Sequence, residues 1–206
     1  MKNRIIFGVL GASITIALVM ASRWSLYAAV LVLVCLAIRE VFGMVGKRSP
    51  LSFIAFSLIL ITCFSSLIGL RHIDYTTIAY VIFACLAAFI TDTAALAFGL
   101  KFGKHKLTKI SPKKTWEGAI GGVLTAVAVC TAYMLIVDRF TPWIPLIALI
   151  ASISAIFGDL AASLVKRKFG AKDYGAMIPG HGGIMDRCDS LMFAAPVSYI
   201  LLNFLV

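Results

Sequence analysis

An all-α fold that crosses a membrane several times is predicted by three features of the chain. Its apolar runs are long enough to span a bilayer, its charge is too sparse for a soluble surface, and that charge falls on alternate sides with a strong bias. Of 206 residues, 61% are hydrophobic and 14% charged, against about 25% charged in a soluble domain. Mean hydropathy is +1.01. Runs of about 17 to 25 apolar residues cross a bilayer as helices, and about seven are expected.

The first, Ile5–Ala21, follows Lys2 and Arg4 and has Val19-Met20-Ala21 behind it, the outline of a signal peptide. Six further spans already provide membrane insertion, so it is read as a retained helix. The second, Trp24–Ile38, is short and closes before Arg39 and Glu40. The third is Leu51–Leu70. The fourth, Thr76–Leu100, carries Asp92, and the fifth, Ala119–Val137, opens with glycines 118, 121 and 122 about its start, placed for close packing against a neighbouring helix. The sixth, Ile144–Val165, carries Asp159, and the seventh is Ser190–Val206. Little chain remains outside them, so residues 1–206 are expected to form one membrane-embedded domain, with 1–75 as N-terminal spans and 76–206 as the part that carries the motifs.

The placement of Lys and Arg predicts topology. Of nineteen, sixteen fall on one side: Lys2, Arg4, Arg39, Lys47, Arg48, the six lysines from Lys101 to Lys114, then Lys166, Arg167, Lys168, Lys172 and Arg187. Arg23, Arg71 and Arg139 fall on the other. The N-terminus and both polar loops are therefore expected in the cytoplasm, in a multi-pass protein of the cell membrane. The formal net charge of +10 suits anionic lipid and a nucleotide; no nucleic-acid-binding motif is present. Cys35, Cys63, Cys85 and Cys130 lie in apolar spans without CxxC spacing, which argues against disulfides and zinc, and Cys188 reads as a bystander. His72 and His105 have no supporting constellation. The absence of GxSxG, GxxxxGK[ST] and HExxH argues against a hydrolase elbow, a P-loop enzyme and a zinc protease.

Chemistry concentrates in SLVKRKFGAKDYGAMIPGHGGIMDRCDSL, from Ser163 to Leu191. Asp186 and Asp189 stand three apart and, at the start of a helix, share a face on which both converge on one divalent cation. Lys166, Arg167, Lys168, Lys172 and Arg187 surround them with charge suited to phosphates. Between lie Pro179, Gly180, His181, Gly182 and Gly183, where glycine lets backbone N–H groups approach a ligand. Asp159 sits within the sixth span, about 10 Å deeper than Lys166, and an intramembrane carboxylate is functional by default. Asp159, Ser163 and Lys166 or Arg167 recur at helical spacing on one stripe. Asp92 is read as lining the same cavity, the alternative being a polar anchor between helices. In Ser111-Pro112-Lys113-Lys114-Thr115-Trp116-Glu117, the residues Ser111, Lys113 and Lys114 are read as phosphate and headgroup binders, with Trp116 at headgroup level. His181 can be read as a metal ligand, an acid–base group, a phosphate donor or a structural hydrogen bond to its own loop, and the phosphate donor is preferred because hard oxygen ligands suit magnesium better than a lone imidazole, with the structural bond next.

The residues Ser163, Lys166, Arg167, Lys172, Asp173, Pro179, His181, Gly182, Gly183, Asp186, Arg187 and Asp189 closely resemble the signature of the phosphatidate cytidylyltransferases, or CDP-diacylglycerol synthases. Phe102 to Leu107 and Ile110 to Gly118 resemble that family too, so the resemblance covers roughly the C-terminal 60% of the chain. Ala94 and Leu96 depart from it, standing where relatives carry glycine and tyrosine. The resemblance implies transfer of a cytidylyl group from CTP to phosphatidate in phospholipid biosynthesis, with Mg²⁺ on Asp159, Asp186 and Asp189 and a monovalent cation such as K⁺ beside it. Lys166, Arg167, Lys172, Asp173, His181 and Arg187 are the catalytic candidates, and Asp92, Ser111, Lys113, Lys114, Ser163, Gly182 and Gly183 the substrate-binding ones. Asp173 is open between metal binding and fixing a neighbouring lysine. Expected partners are CTP, phosphatidate and membrane lipid, with a homodimer as a candidate assembly. Two rival readings are a CTP-dependent kinase of the polyprenol type and a cation-coupled transporter with Asp92 and Asp159 as coupling sites.

Overall fold

Serine or threonine caps the starts of three of the helices, and apolar length carries the long helices across. The computed structural model describes residues 22–46, 49–74, 78–108, 110–175 and 182–206. The first expected span, Ile5–Ala21, lies outside them, as does His181. Helix α1, Arg23–Val41, begins under a Ser22–Ser25 capping box and continues through a π-helical turn, Phe42–Gly46. Helix α2, Pro50–Ile73, is capped by Ser49 with Pro50 in its first turn, where the missing N–H costs nothing. Helices α3, Ala79–Phe102, α4, Trp116–Ile136, and α5, Ile144–Lys168, follow, and a short α6, Met185–Cys188, leads into α7, Leu191–Leu205.

Among the described residues, five helices are long and apolar enough to cross a membrane, the first of them running Trp24–Gly46, and α7 is a shorter apolar helix. The chain is thus an all-α polytopic membrane protein. The second span is longer than the sequence predicts, because Arg39 and Glu40 do not end it: Glu40 finds backbone donors inside the protein, as described below. The fifth span starts a turn early, since Thr115 caps it by accepting from the Gly118 N–H at 3.1 Å. Large apolar side chains that face outward, such as Leu31, Leu58, Leu124 and Phe157, suit a hydrocarbon solvent rather than water.

Helices α3 and α4 make the most extensive pairing, and glycine is the reason. A Cβ added at Gly118 would lie 2.5 Å from the Ala95 carbonyl oxygen, and one at Gly122 would lie 2.6 Å from that of Thr91. The close approach expected of these glycines is present, and Gly121 shares it, since a Cβ there would lie 2.5 Å from Phe98 Cγ on α3. Helix α7 packs against α5, α2 and α3, with Ala194, Ala195 and Leu202 buried.

The chain alternates direction, so the ends of α1, α3 and α5 and the starts of α2 and α4 share one end of the bundle with the 169–175 and 182–190 segments. The opposite end is closed by Arg139 Nε on Asp74 Oδ2 at 2.8 Å. Asp92 lies ten residues from the end of α3 and Asp159 nine from the end of α5, a depth of about 14 Å below the helix ends. Ser190 donates its hydroxyl to Asp92, so the chain before α7 dips to that depth. Non-helical backbone there is tolerated only where protein or a cavity receives its polar groups.

Candidate active site

A folded hairpin closes the site from above. Leu107 N donates to Lys114 O at 2.8 Å, Lys114 N to Ser111 O at 3.0 Å and Trp116 N to His105 O at 3.0 Å. Glu117 anchors its base by accepting from the Lys104 and His105 amides and pairing with His105 Nδ1 at 2.6 Å. The unassigned His105 is therefore part of a structural latch. Beneath lies a cleft of about 220 Å³, whose rim includes Ser111, Lys113 and Lys114 and whose floor includes Asp92 and Asp159, with Leu96, Ala119 and Ile156 as apolar walls. Asp92, Asp159, Ser111, Lys113 and Lys114, chosen from separate stretches of sequence, thus meet in one cavity. Lys114 Nζ pairs with Asp159 Oδ2. Leu96, which departs from the resemblance, forms part of the wall.

A second cluster adjoins the first. Lys166 is buried and places Nζ 2.7 Å from Asp186 Oδ1 and 4.0 Å from Asp189 Oδ2. The positive charge between the two aspartates is the Lys166 ammonium. Asp186 is fully engaged, since its Oδ2 also accepts from Tyr174 N at 2.8 Å and Gly183 N at 3.0 Å. Asp189 Oδ1 accepts from Ser190 N at 2.9 Å. The Asp189 side chain is itself buried. Asp159 also accepts from Ser163 Oγ at 3.4 Å, so the predicted stripe runs 159, 163, 166.

Arg167 falls off that stripe. It is exposed and turns Nη1 back to the Ala171 carbonyl at 3.1 Å. Lys172, Asp173 and Arg187 are likewise exposed around the cluster rather than inside it. Gly182 adopts φ +81, and a Cβ there would meet Asp186 Oδ2 at 3.1 Å, so glycine is required both for its dihedral and for its neighbour.

Sequence reasoning missed Glu40, Tyr174 and Ser190. Glu40 had a signal, a carboxylate at the inner edge of an apolar span. Tyr174 and Ser190 had none. Tyr174 is buried, donates its hydroxyl to Ala162 O at 3.3 Å, and carries the Lys166 ammonium over its ring, 5.3 Å from the centroid.

The donor chemistry of Asp159 and Asp189 suits a hard divalent cation. Among the described residues no three Asp, Glu, His or Cys side chains form a ready-made metal cage; the positive charge beside Asp159 and Asp186 is supplied by lysine.

A family model described as the cytidylyltransferase family matches residues 47–205. The chain belongs to this family. A phosphatidate cytidylyltransferase of Bacillus subtilis (strain 168) is 41% identical over 143 residues, which are 68% of this chain and 53% of that protein. Phosphatidate cytidylyltransferases of Staphylococcus saprophyticus and Staphylococcus aureus (strain COL) are each 48% identical over 126 residues, 60% of this chain and 48% of theirs. The chain spans about half the length of the curated relatives it matches. For this cytidylyltransferase-family chain the matched region takes in the hairpin, the cleft and the Lys166 cluster; Glu40 lies before it.

Proposed function

We propose that the chain is a phosphatidate cytidylyltransferase: it transfers a cytidylyl group from CTP to phosphatidate, releasing CDP-diacylglycerol and pyrophosphate, and so serves phospholipid biosynthesis. The observation that carries this reading is the cleft, where a rim of Ser111, Lys113 and Lys114 stands over carboxylates and apolar walls. Such a lining suits a molecule that is phosphate at one end and hydrocarbon at the other. The names of the matched relatives agree with it.

In this reaction a non-bridging oxygen of the phosphatidate phosphate attacks the α-phosphorus of CTP. The bond from that phosphorus to the α–β bridging oxygen breaks, and the electron pair leaves with pyrophosphate. Two polyanions must meet, so the protein has to offset their repulsion and hold attacking and leaving oxygens in line. Ser111, Lys113 and Lys114 hold phosphates on the hairpin side. Lys166, with Arg167, Lys172 and Arg187 exposed around it, offsets charge that builds on the leaving group. Asp159 and Asp189, with Asp186, would hold Mg²⁺, which when bound supplies Lewis-acid neutralisation of the phosphate oxygens. For the carboxylates to take that ion, Lys114 and Lys166 exchange them for substrate phosphates. The basic end of the bundle faces the cytoplasm, where CTP is available.

The test is product formation by the purified chain. A CDP-lipid should appear only when CTP, phosphatidate and Mg²⁺ are all present; folded protein that yields none under those conditions rejects the activity.

A further inference from the structure

Glu40 lies on α1, outside the region matched by the family model, and it reaches into the segment that carries the aspartates. The residue is 6% exposed. Its Oε1 accepts from Ile184 N and its Oε2 from Met185 N, each at 2.9 Å. Two glycines make room for it. A Cβ at Gly183 would stand 2.3 Å from Oε2, and one at Gly175 would stand 3.0 Å from Oε1. Those two amides open helix α6, where the chain dips below the helix ends, and backbone donors at that depth need an acceptor within the protein. A carboxylate meets two at once, whereas an amide side chain turns an N–H toward one of them.

We propose that Glu40 is a positioning residue: from α1 it pins the backbone of residues 183–188 and thereby sets Asp186 and Asp189 against Lys166. The pin ties the N-terminal spans to the catalytic part. Its chemical nature is a two-oxygen clamp on consecutive N–H groups, which neither Gln nor the shorter Asp reproduces. The catalytic consequence rests on the cytidylyl-transfer reading; the pin itself does not.

Cys188, at the end of α6, reports on the pin without nucleotide. In the full chain with Cys35, Cys63, Cys85 and Cys130 replaced by Ala, Cys188 is modified with N-ethylmaleimide in detergent containing a chelator and no CTP. Glu40→Gln is expected to speed that modification about tenfold, the scale of one buried charge-assisted hydrogen bond. Gly183→Ala keeps Glu40 but drives a methyl group against it, and is expected to do the same. Should Glu40→Gln fail to fold, the Gly183→Ala rate decides. In turnover, kcat of Glu40→Gln should fall about 10²-fold per folded molecule while KM for CTP stays within about threefold, because the hairpin is untouched. An unchanged Cys188 rate in the variants that fold overturns the proposal, as does an activity loss that matches the loss of folded protein. If the unaltered chain makes no CDP-lipid, the proposed function fails, and the thiol rates alone still accept or reject the pin.

Discussion

Asp186 and Asp189 stand three residues apart and do different work. Asp186 spends both oxygens inside the fold, on Lys166 and on the Tyr174 and Gly183 amides, whereas Asp189 keeps Oδ2 4.0 Å from Lys166. Replacing one partner of a buried ion pair strands the other, a loss of about 3–5 kcal/mol, and Asp189 takes up part of that burden. Asp186→Asn should therefore lower the thermal unfolding midpoint as well as activity. Asp159→Asn and Asp189→Asn should unfold close to the unaltered chain yet lose about 10²-fold or more in turnover, as the proposal that these anions hold Mg²⁺ requires. Asp138→Asn, at the opposite end with φ 54, should be near normal on both measures, since Asn adopts that backbone as readily. Full turnover by the Asp189 variant at limiting Mg²⁺ would contradict the assignment.

At the scale of elements, helices were legible because hydrocarbon requires length and apolarity, and both can be read directly. Six of the expected spans have helical counterparts, shifted by a few residues at their ends where a capping side chain decides: Thr115 starts α4 ahead of Ala119, and Ser49 starts α2. What was not legible is where the backbone leaves helix yet stays deep. The 182–190 segment turns short α6 into α7 at the level of Asp92, and its polar groups depend on Glu40 and Asp186, contacts separated by up to 145 residues in the chain. Periodicity carries no information about such pairs. The stripe Asp159, Ser163, Lys166 was legible because a helix fixes it; Arg167 could be separated from Lys166 only by seeing which side α5 buries. The hairpin over the cleft looked like a loop with lysines, and its closure by Glu117 and His105 joins residues 12 apart.

For the whole molecule, charge and geometry agree on one sided object. The hairpin, the Lys166 cluster and the cleft occupy one end, and the Asp74–Arg139 pair closes the other. A cysteine introduced as Lys106→Cys on a Cys-free background should stay shielded from an impermeant thiol reagent in sealed cells, while Pro142→Cys should react; the reverse pattern would place the site outside. In the proposed reaction CTP gives up its nucleotidyl group, not its terminal phosphate. The position of an isotope separates the two, because attack at the α-phosphorus moves CMP to the lipid and attack at the γ-phosphorus moves a single phosphate. The purified chain, given Mg²⁺ and phosphatidate, should transfer label from α-labelled CTP into the lipid extract and leave label from γ-labelled CTP in water-soluble pyrophosphate. Lipid labelled from the γ position, with a lipid alcohol as acceptor, would rule out cytidylyl transfer and assign the cleft to a kinase.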